Sequence, residues 1–311
     1  MMSKTVGSSL ISIFLLFVSM TFVAFPENVI ADDRQLKRHS LSFEWSRDKQ
    51  TFSAYQKTQK IEPKTGLVQY AYQLNENWYI ESAYWKGDEA LQSTKRLSLE
   101  KNLSGLNIGV NYVFPESEWW WALGLQTSHD DTRLNLEGAS GDIFEEQLSS
   151  KELFFTFGNE YAWQHFSLAP SFSLAYQRSE SETRKDILVN SIRVRDIQVQ
   201  SDHGAYASTS LAASYLSDTI NGILLSPSLS IGWTEAILGD VVNTRRLEAK
   251  SNRVYESPSQ QQELNDTSGS GFISVSLMLI VSDYYSSISY IESLGLELDS
   301  SSLSLQIGLD F

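Results

Sequence analysis

The sequence predicts an all-β chain closed as a transmembrane, antiparallel up-and-down barrel of about 12 strands, with 10–14 compatible with the pattern. Three observations lead there. The last nine residues, Leu303 to Phe311 (LSLQIGLDF), are apolar at every odd position and end on an aromatic, which describes a strand with one apolar and one wet face. The same alternation recurs along the chain. Phe166, Leu168, Pro170, Phe172, Leu174 and Tyr176 are separated by Ser and Ala, and Ile223 to Trp233 and Ile273 to Val281 repeat the pattern. A soluble sandwich also alternates, but it turns the apolar face inward and exposes Lys, Glu and Thr. Here the second face is Ser, Ala, Gly and Gln, which suits a narrow lumen better than bulk water. The third observation is that connections alternate between short and long, the arrangement of a barrel with turns at one rim and loops at the other.

The elements follow in order. Met1 to Ser9 carries a single basic residue, Lys4; Leu10 to Phe25 is a 16-residue mostly apolar run; Val29-Ile30-Ala31 precede Asp32-Asp33. That succession is a secretory signal peptide, residues 1–31, with cleavage after Ala31; the run falls short of the ~20 residues of a spanning helix. The remaining 32–311, 311 − 31 = 280 residues, make one barrel domain. Candidate strands lie at about 39–46, 66–74, 78–86, 103–114, 119–128, 149–162, 166–179, 202–216, 222–236, 269–282, 284–292 and 302–311. In 47–65, Phe52, Ala54 and Tyr55 either extend the first strand above the membrane or form an extra pair.

Short connections fall at Asn75-Glu76-Asn77, Pro115 to Glu118, Gln164-His165, Ser217 to Asn221 and Ser282-Asp283. Long polar stretches at roughly 87–102, 129–148, 180–200 and 237–268 are expected to be loops. Aromatics crowd the short turns: Tyr72 with Trp78 and Tyr79, Tyr112 and Phe114 with Trp119, Trp120 and Trp121, and Tyr284-Tyr285 after Asp283. Trp and Tyr favour the headgroup interface, where the ring is half buried and its polar atom stays wet.

Composition excludes several classes. The chain has no Cys, so disulfides, zinc–thiolate sites and a lipid-modified N-terminal cysteine are all ruled out. A formal net charge of −14 argues against nucleic acid, whose phosphates are bound by clustered Lys and Arg.

The terminal strand ending on Phe311 resembles the last strand of Gram-negative outer-membrane β-barrels. That resemblance implies the cell outer membrane as location, outer-membrane lipids and lipopolysaccharide as surroundings, and the barrel assembly machinery as a partner reading the C-terminal strand. A faint internal repeat adds to it: Leu168-Ala-Pro170-Ser-Phe172-Ser-Leu174-Ala-Tyr176 matches Leu225-Ser-Pro227-Ser-Leu229-Ser-Ile231-Gly-Trp233, with 57 residues between the prolines. Pro removes a ladder hydrogen bond, so its place in a closed barrel marks a bulge near the rim. Together these features resemble the autotransporter β-domain over about residues 150–311, a family whose barrel has twelve strands. Autotransporters also carry a secreted passenger and a lumen helix, whereas about 39 − 32 = 7 residues precede the first candidate strand; a related barrel here would be one without cargo.

Few residues suggest chemistry. His165-Phe166-Ser167 has the H-x-S spacing of outer-membrane lipid hydrolases, where same-face His and Ser form a nucleophile pair, but it sits in a short turn and no companion acid or Asn motif accompanies it. His129-Asp130-Asp131 could hold a divalent cation, although a solvated charge cluster is the simpler reading in a polar stretch. No catalytic, cofactor-binding or metal-ligating residue is therefore assigned, no cofactor is expected, and the chain is read as non-enzymatic. Arg184, Lys185, Arg193 and Arg195, mixed with Glu180, Glu182 and Asp186, could cover the mouth or bridge lipopolysaccharide phosphates. Three functions remain: a passive, cation-preferring pore for small solutes, the cation bias following from acidic excess; a structural or surface-interaction barrel, plugged by side chains or by an inward-folded 237–268; and an outer-membrane lipid-modifying hydrolase resting on His165 and Ser167.

Overall fold

The computed structural model describes residues 39–54, 57–94, 97–136, 143–189, 192–249, 254–263, 269–294 and 300–311. The expected signal peptide lies outside these residues. The elements are β1 (His39–Ala54), β2 (Lys57–Ile61), β3 (Lys64–Gln73), β4 (Trp78–Thr94), β5 (Leu97–Val113), β6 (Trp119–Leu136), β7 (Ile143–Asn159), β8 (Tyr161–Trp163), β9 (Phe166–Val189), β10 (Ile192–Tyr215), β11 (Ile223–Ala249), β12 (Val254–Glu263), β13 (Ser270–Val281), β14 (Tyr284–Leu294) and β15 (Ser301–Asp310). Twelve of them close a ring in chain order, each antiparallel to its neighbours, with β2, β8 and β12 outside the ring. β15 seals against β1 in the register Ser40↔Asp310 to Lys49↔Ser301. At the seam His39 N donates to Phe311 O at 2.9 Å and Phe311 N to His39 O at 2.8 Å. Closure leaves no edge strand in the wall, which a bilayer requires because it offers no water to an unpaired N–H or C=O.

All twelve candidate strands are wall strands. The short turns gather at one rim with both ends of the barrel. Several of them use the left-handed region, at Glu116 (φ 55°), Gln164 (φ 53°), Asn221 (φ 54°) and Ser282 (φ 56°). In the first turn Asn75 Oδ1 accepts from Asn77 N at 2.9 Å and Trp78 N at 3.1 Å, a side chain standing in for backbone.

Above the opposite rim the expectation of loops is corrected. Most described residues of 87–102, 129–148, 180–200 and 237–268 are strand. β9 and β10 pair without a break from Tyr215↔Phe166 to Ile192↔Val189, and 24 residues of strand extend ~79 Å, far beyond the ~9–11 residues that cross a bilayer. β11 continues beside β10, with a bulge at Ala205/Tyr206, and then carries β12. The physical reason is solvent: once both faces of a strand meet water, the apolar alternation that marks a strand in the sequence disappears, while the backbone ladder persists. Cross-strand ion pairs take over, with Arg245 forking onto Asp196 at 2.9 and 2.8 Å and Arg195 on Asp186 at 3.0 Å. In 47–65 the described residues do both, since β1 runs on through Phe52 to Ala54 and pairs with β2; Tyr55 lies outside the described residues. β11 beyond Ala236 stays in the wall sheet beside β10, so the described part of 237–268 does not fold inward as a plug.

The outer surface is apolar. Phe43, Leu125, Leu153, Leu229 and Ile307 are among the many large side chains that face outward and exposed, and so continuous an apolar band on a monomer requires an apolar solvent or partner. Aromatic pairs edge it at the short-turn rim, with Trp78 against Tyr112 and Trp119 stacked on Phe157, each at 4.8 Å.

Candidate functional site in the lumen

Alternation fixes what enters the lumen, because successive side chains of a strand point to opposite faces. Glu44 lies between Phe43 and Trp45, which are 56% and 48% exposed on the outer face, so its carboxylate turns inward. Cross-strand register carries that assignment around the ring: Glu44 neighbours Gln306 and Leu67, and Leu67 neighbours Trp85. Glu81, Glu152, Asp48, Glu89, Asp130 and Asp202 fall on the same inner face by the same rule. Glu44 stands between Phe43 and Trp45, whereas Asp48, Glu89, Asp130 and Asp202 lie in polar stretches.

A row of amides and hydroxyls runs along the wall near these carboxylates. Gln306 Nε2 donates to Ser42 Oγ and to Gln69 Oε1, each at 3.0 Å, Ser42 Oγ donates to Gln69 Oε1 at 3.1 Å, and Ser287 Oγ to Gln306 Oε1 at 3.3 Å. In register the row continues from Gln69 through Ala83, Asn107, Gln126 and Glu152 to Gln177. Gln126 Oε1 and Gln177 Nε2, on either side of Glu152, are buried without a protein hydrogen bond among the described residues. Buried polar atoms are rarely left so, and here they border the lumen. Glu44 accepts from Ser304, Asp48 from Ser302 and Glu81 from Asn111. Lys101 Nζ is 2.9 Å from Asp130 Oδ2, so this inward lysine is already matched to a carboxylate.

The two sides of the lumen differ in bulk. From β3 to β7, Leu67, Trp85, Leu103, Trp120 and Phe154 project inward, and Trp85 is 1% exposed. The Trp85 ring occupies the space over Gly105 and the Phe154 ring that over Gly124, where any Cβ would collide with them. From β9 to β15 serine is the commonest inward residue, although Tyr206, Phe272, Met278, Tyr285 and Ile291 also project inward, Phe272 over Gly232 and Tyr285 over Gly308. Hydroxyl pairs bridge neighbouring strands at Ser171–Ser210 (2.6 Å), Ser208–Thr234 (2.7 Å), Ser228–Ser276 (2.6 Å), Ser230–Ser274 (2.8 Å) and Ser289–Ser304 (2.6 Å).

The residues singled out from sequence are dispersed. His165 Nε2 is 3.6 Å from Asp218 Oδ1, whereas Ser167 Oγ bonds Ser214 Oγ at 2.8 Å and donates to Glu160, whose carboxyl, in the rim turn, is pushed up by burial. The two side chains thus have separate partners, and the spacing does not produce a nucleophile pair. His129 and Asp130 point to opposite faces of β6: His129 is exposed outside, while Asp130 meets Lys101 and Thr132 inside. No group of three or more His, Asp or Glu able to hold a metal ion occurs among the described residues. Of the inward carboxylates only Asp130 was singled out from sequence; for Glu44 the signal was a lone acid between aromatics, Phe43-Glu44-Trp45, whereas Asp48, Glu89 and Asp202 carry no such flank.

This architecture is similar to two solved structures. The translocator domain of the autotransporter NalP from Neisseria meningitidis matches with a TM-score of 0.61 and 10% identity, over 99% of this chain and 100% of that one. The β domain of the Bordetella autotransporter BrkA matches with a TM-score of 0.58 and 12% identity, over 88% of this chain and 100% of that one. The expected likeness to the autotransporter β-domain is therefore present at the level of the fold. No protein-family model and no curated protein sequence matches the chain.

Proposed function

We propose that this chain is a barrel of the cell outer membrane that gives small polar solutes a passive, cation-preferring path. One observation carries the reading: on the lumen face of the described wall strands, carboxylates (Glu44, Asp48, Glu81, Glu89, Asp130, Glu152 and Asp202, with Glu146 and Asp196 higher up) outnumber the cations Lys101, Lys185 and Arg245. Such an excess raises the local concentration of cations over anions in a confined, low-dielectric passage. The outward apolar band, the closed ring and the likeness to autotransporter barrels support the location. Outer-membrane lipids and lipopolysaccharide are its proposed surroundings, and the assembly machinery its proposed partner at the terminal strand.

The test is conductance and reversal potential in a planar bilayer under a salt gradient. A steady current with cation preference is expected, and a current preferring anions overturns the reading. Insertion without current favours the second reading, a surface-interaction barrel, for which the sheet of β9 to β12 standing beyond the wall is the specific observation.

A further inference from the structure

A cationic row lies outside the barrel at the upper border of its apolar band. The last apolar row there is Leu125–Leu153–Tyr176–Ala205–Leu238, neighbours in register on β6, β7, β9, β10 and β11, and Leu125, Leu153, Tyr176 and Leu238 are each about half exposed. One step up each strand on the same outer face comes Thr127–Lys151–Arg178–His203–Asp240. Lys151 and Arg178 are exposed and directly opposite one another, an arrangement of like charges that destabilises a sheet unless an anion lies between them. The described residues supply neither with a carboxylate within ion-pair distance, whereas His203 has Asp240 at 4.0 Å. The outer face offers a contrast at Arg47↔Lys64, where Arg47 is bonded to Glu62 and Lys64 stands opposite Asp88. The next row above, His129–Ser149–Glu180–Ser201, holds no lysine or arginine, so the two fixed cations stand at the border alone.

We propose that Lys151 and Arg178, flanked by His203 and the Tyr176 ring, bind the phosphate of an anionic outer-leaflet glycolipid whose acyl chains lie on the apolar band below. The guanidinium and ammonium supply charge-assisted donors to phosphate oxygens. The position selects a lipid over free phosphate, because only a lipid gains the apolar contact as well. The proposal rests on the membrane reading and is independent of whether the lumen conducts.

The test uses the full chain in phosphatidylcholine nanodiscs doped with lipid A, either phosphorylated or dephosphorylated, with bound lipid counted by native mass spectrometry and insertion scored separately by protease protection. Phosphorylated lipid A is expected to bind at least tenfold more tightly than the dephosphorylated form. The double variant K151Q/R178Q should lose about 30-fold, at about fivefold per surface cation, while K151R/R178K keeps binding and R246Q, higher on the projecting sheet, leaves it unchanged. Equal binding of the two lipids, an inserted K151Q/R178Q with undiminished binding, or displacement of the lipid by an equal concentration of inorganic phosphate overturns the site. Failure of the unaltered protein to insert overturns the membrane reading instead, and the site with it.

Discussion

The two halves of the lumen wall obey one rule of alternation and yet do different work. Strands β3 to β7 send in large side chains that settle onto glycines of the adjoining strand, as Trp85 does on Gly105 and Phe154 on Gly124. Strands β9 to β15 send in many serines that bond across to one another, and only Phe272 on Gly232 and Tyr285 on Gly308 repeat the ring-on-glycine packing there among the described residues. The first half gains stability from dispersion and burial, as a soluble core does. The second gains it from hydrogen bonds that keep short side chains against the wall. A barrel can thus concentrate its bulkiest packing on one side and line the other mainly with short hydroxyl side chains.

Breaking the packed half should have the largest effect. Gly105→Leu forces Trp85 off its seat and is expected to destabilise the barrel by about 3 kcal/mol, measured as a lower urea midpoint for loss of heat-modifiable migration on a gel. Ser228→Leu places the same side chain on the serine-rich half, breaking the Ser228–Ser276 bond at a cost of about 1 kcal/mol; single-channel conductance should fall while the urea midpoint drops by about a third as much. Equal destabilisation at the two sites would erase the distinction between the halves.

A smaller effect sharpens the electrostatic side. The triple variant Glu44→Gln, Glu81→Gln and Glu152→Gln keeps shape and removes charge, and each carboxylate within ~4 Å of the path is worth about fivefold in cation preference. The reversal potential under a salt gradient should move toward zero, and an unmoved value would assign the selectivity elsewhere. The smallest effect is expected from Ser289→Ala, which loses the 2.6 Å bond to Ser304 for roughly 0.5–1 kcal/mol and leaves conductance unchanged.

The projecting sheet offers one more comparison, with the wall beneath it. Asp196 is 4% exposed and held by Arg245, whose own side chain is half exposed. Arg245→Ala leaves a buried carboxylate without its main partner, and about 1–2 kcal/mol of local stability should go, discounted for the solvent around the guanidinium. Faster amide exchange in the upper halves of β10 and β11, with the wall unchanged, is the expected pattern.

Sequence reading followed the solvent. Between a lipid face and a lumen face the side chains must alternate, so Phe166 to Tyr176 and Leu303 to Phe311 announced their strands, and the short turns announced the rim. Above the membrane that contrast vanishes, and the upper halves of β9, β10 and β11 read as polar loops although their backbones are fully paired. The site was harder to read, because Glu44 and Glu81 appear in the sequence as isolated acids and only alternation within a closed ring puts them on one surface.

By itself, then, the sequence determined the β class, the strand positions and number, the sidedness of the turns and the absence of disulfide chemistry, since each depends on local periodicity or composition. Tertiary structure alone decided which strands extend beyond the wall, which glycine seats which ring, that His165 and Ser167 have different partners, and that Lys151 faces Arg178. Those depend on register between strands distant in the chain, and register is a property of the closed sheet.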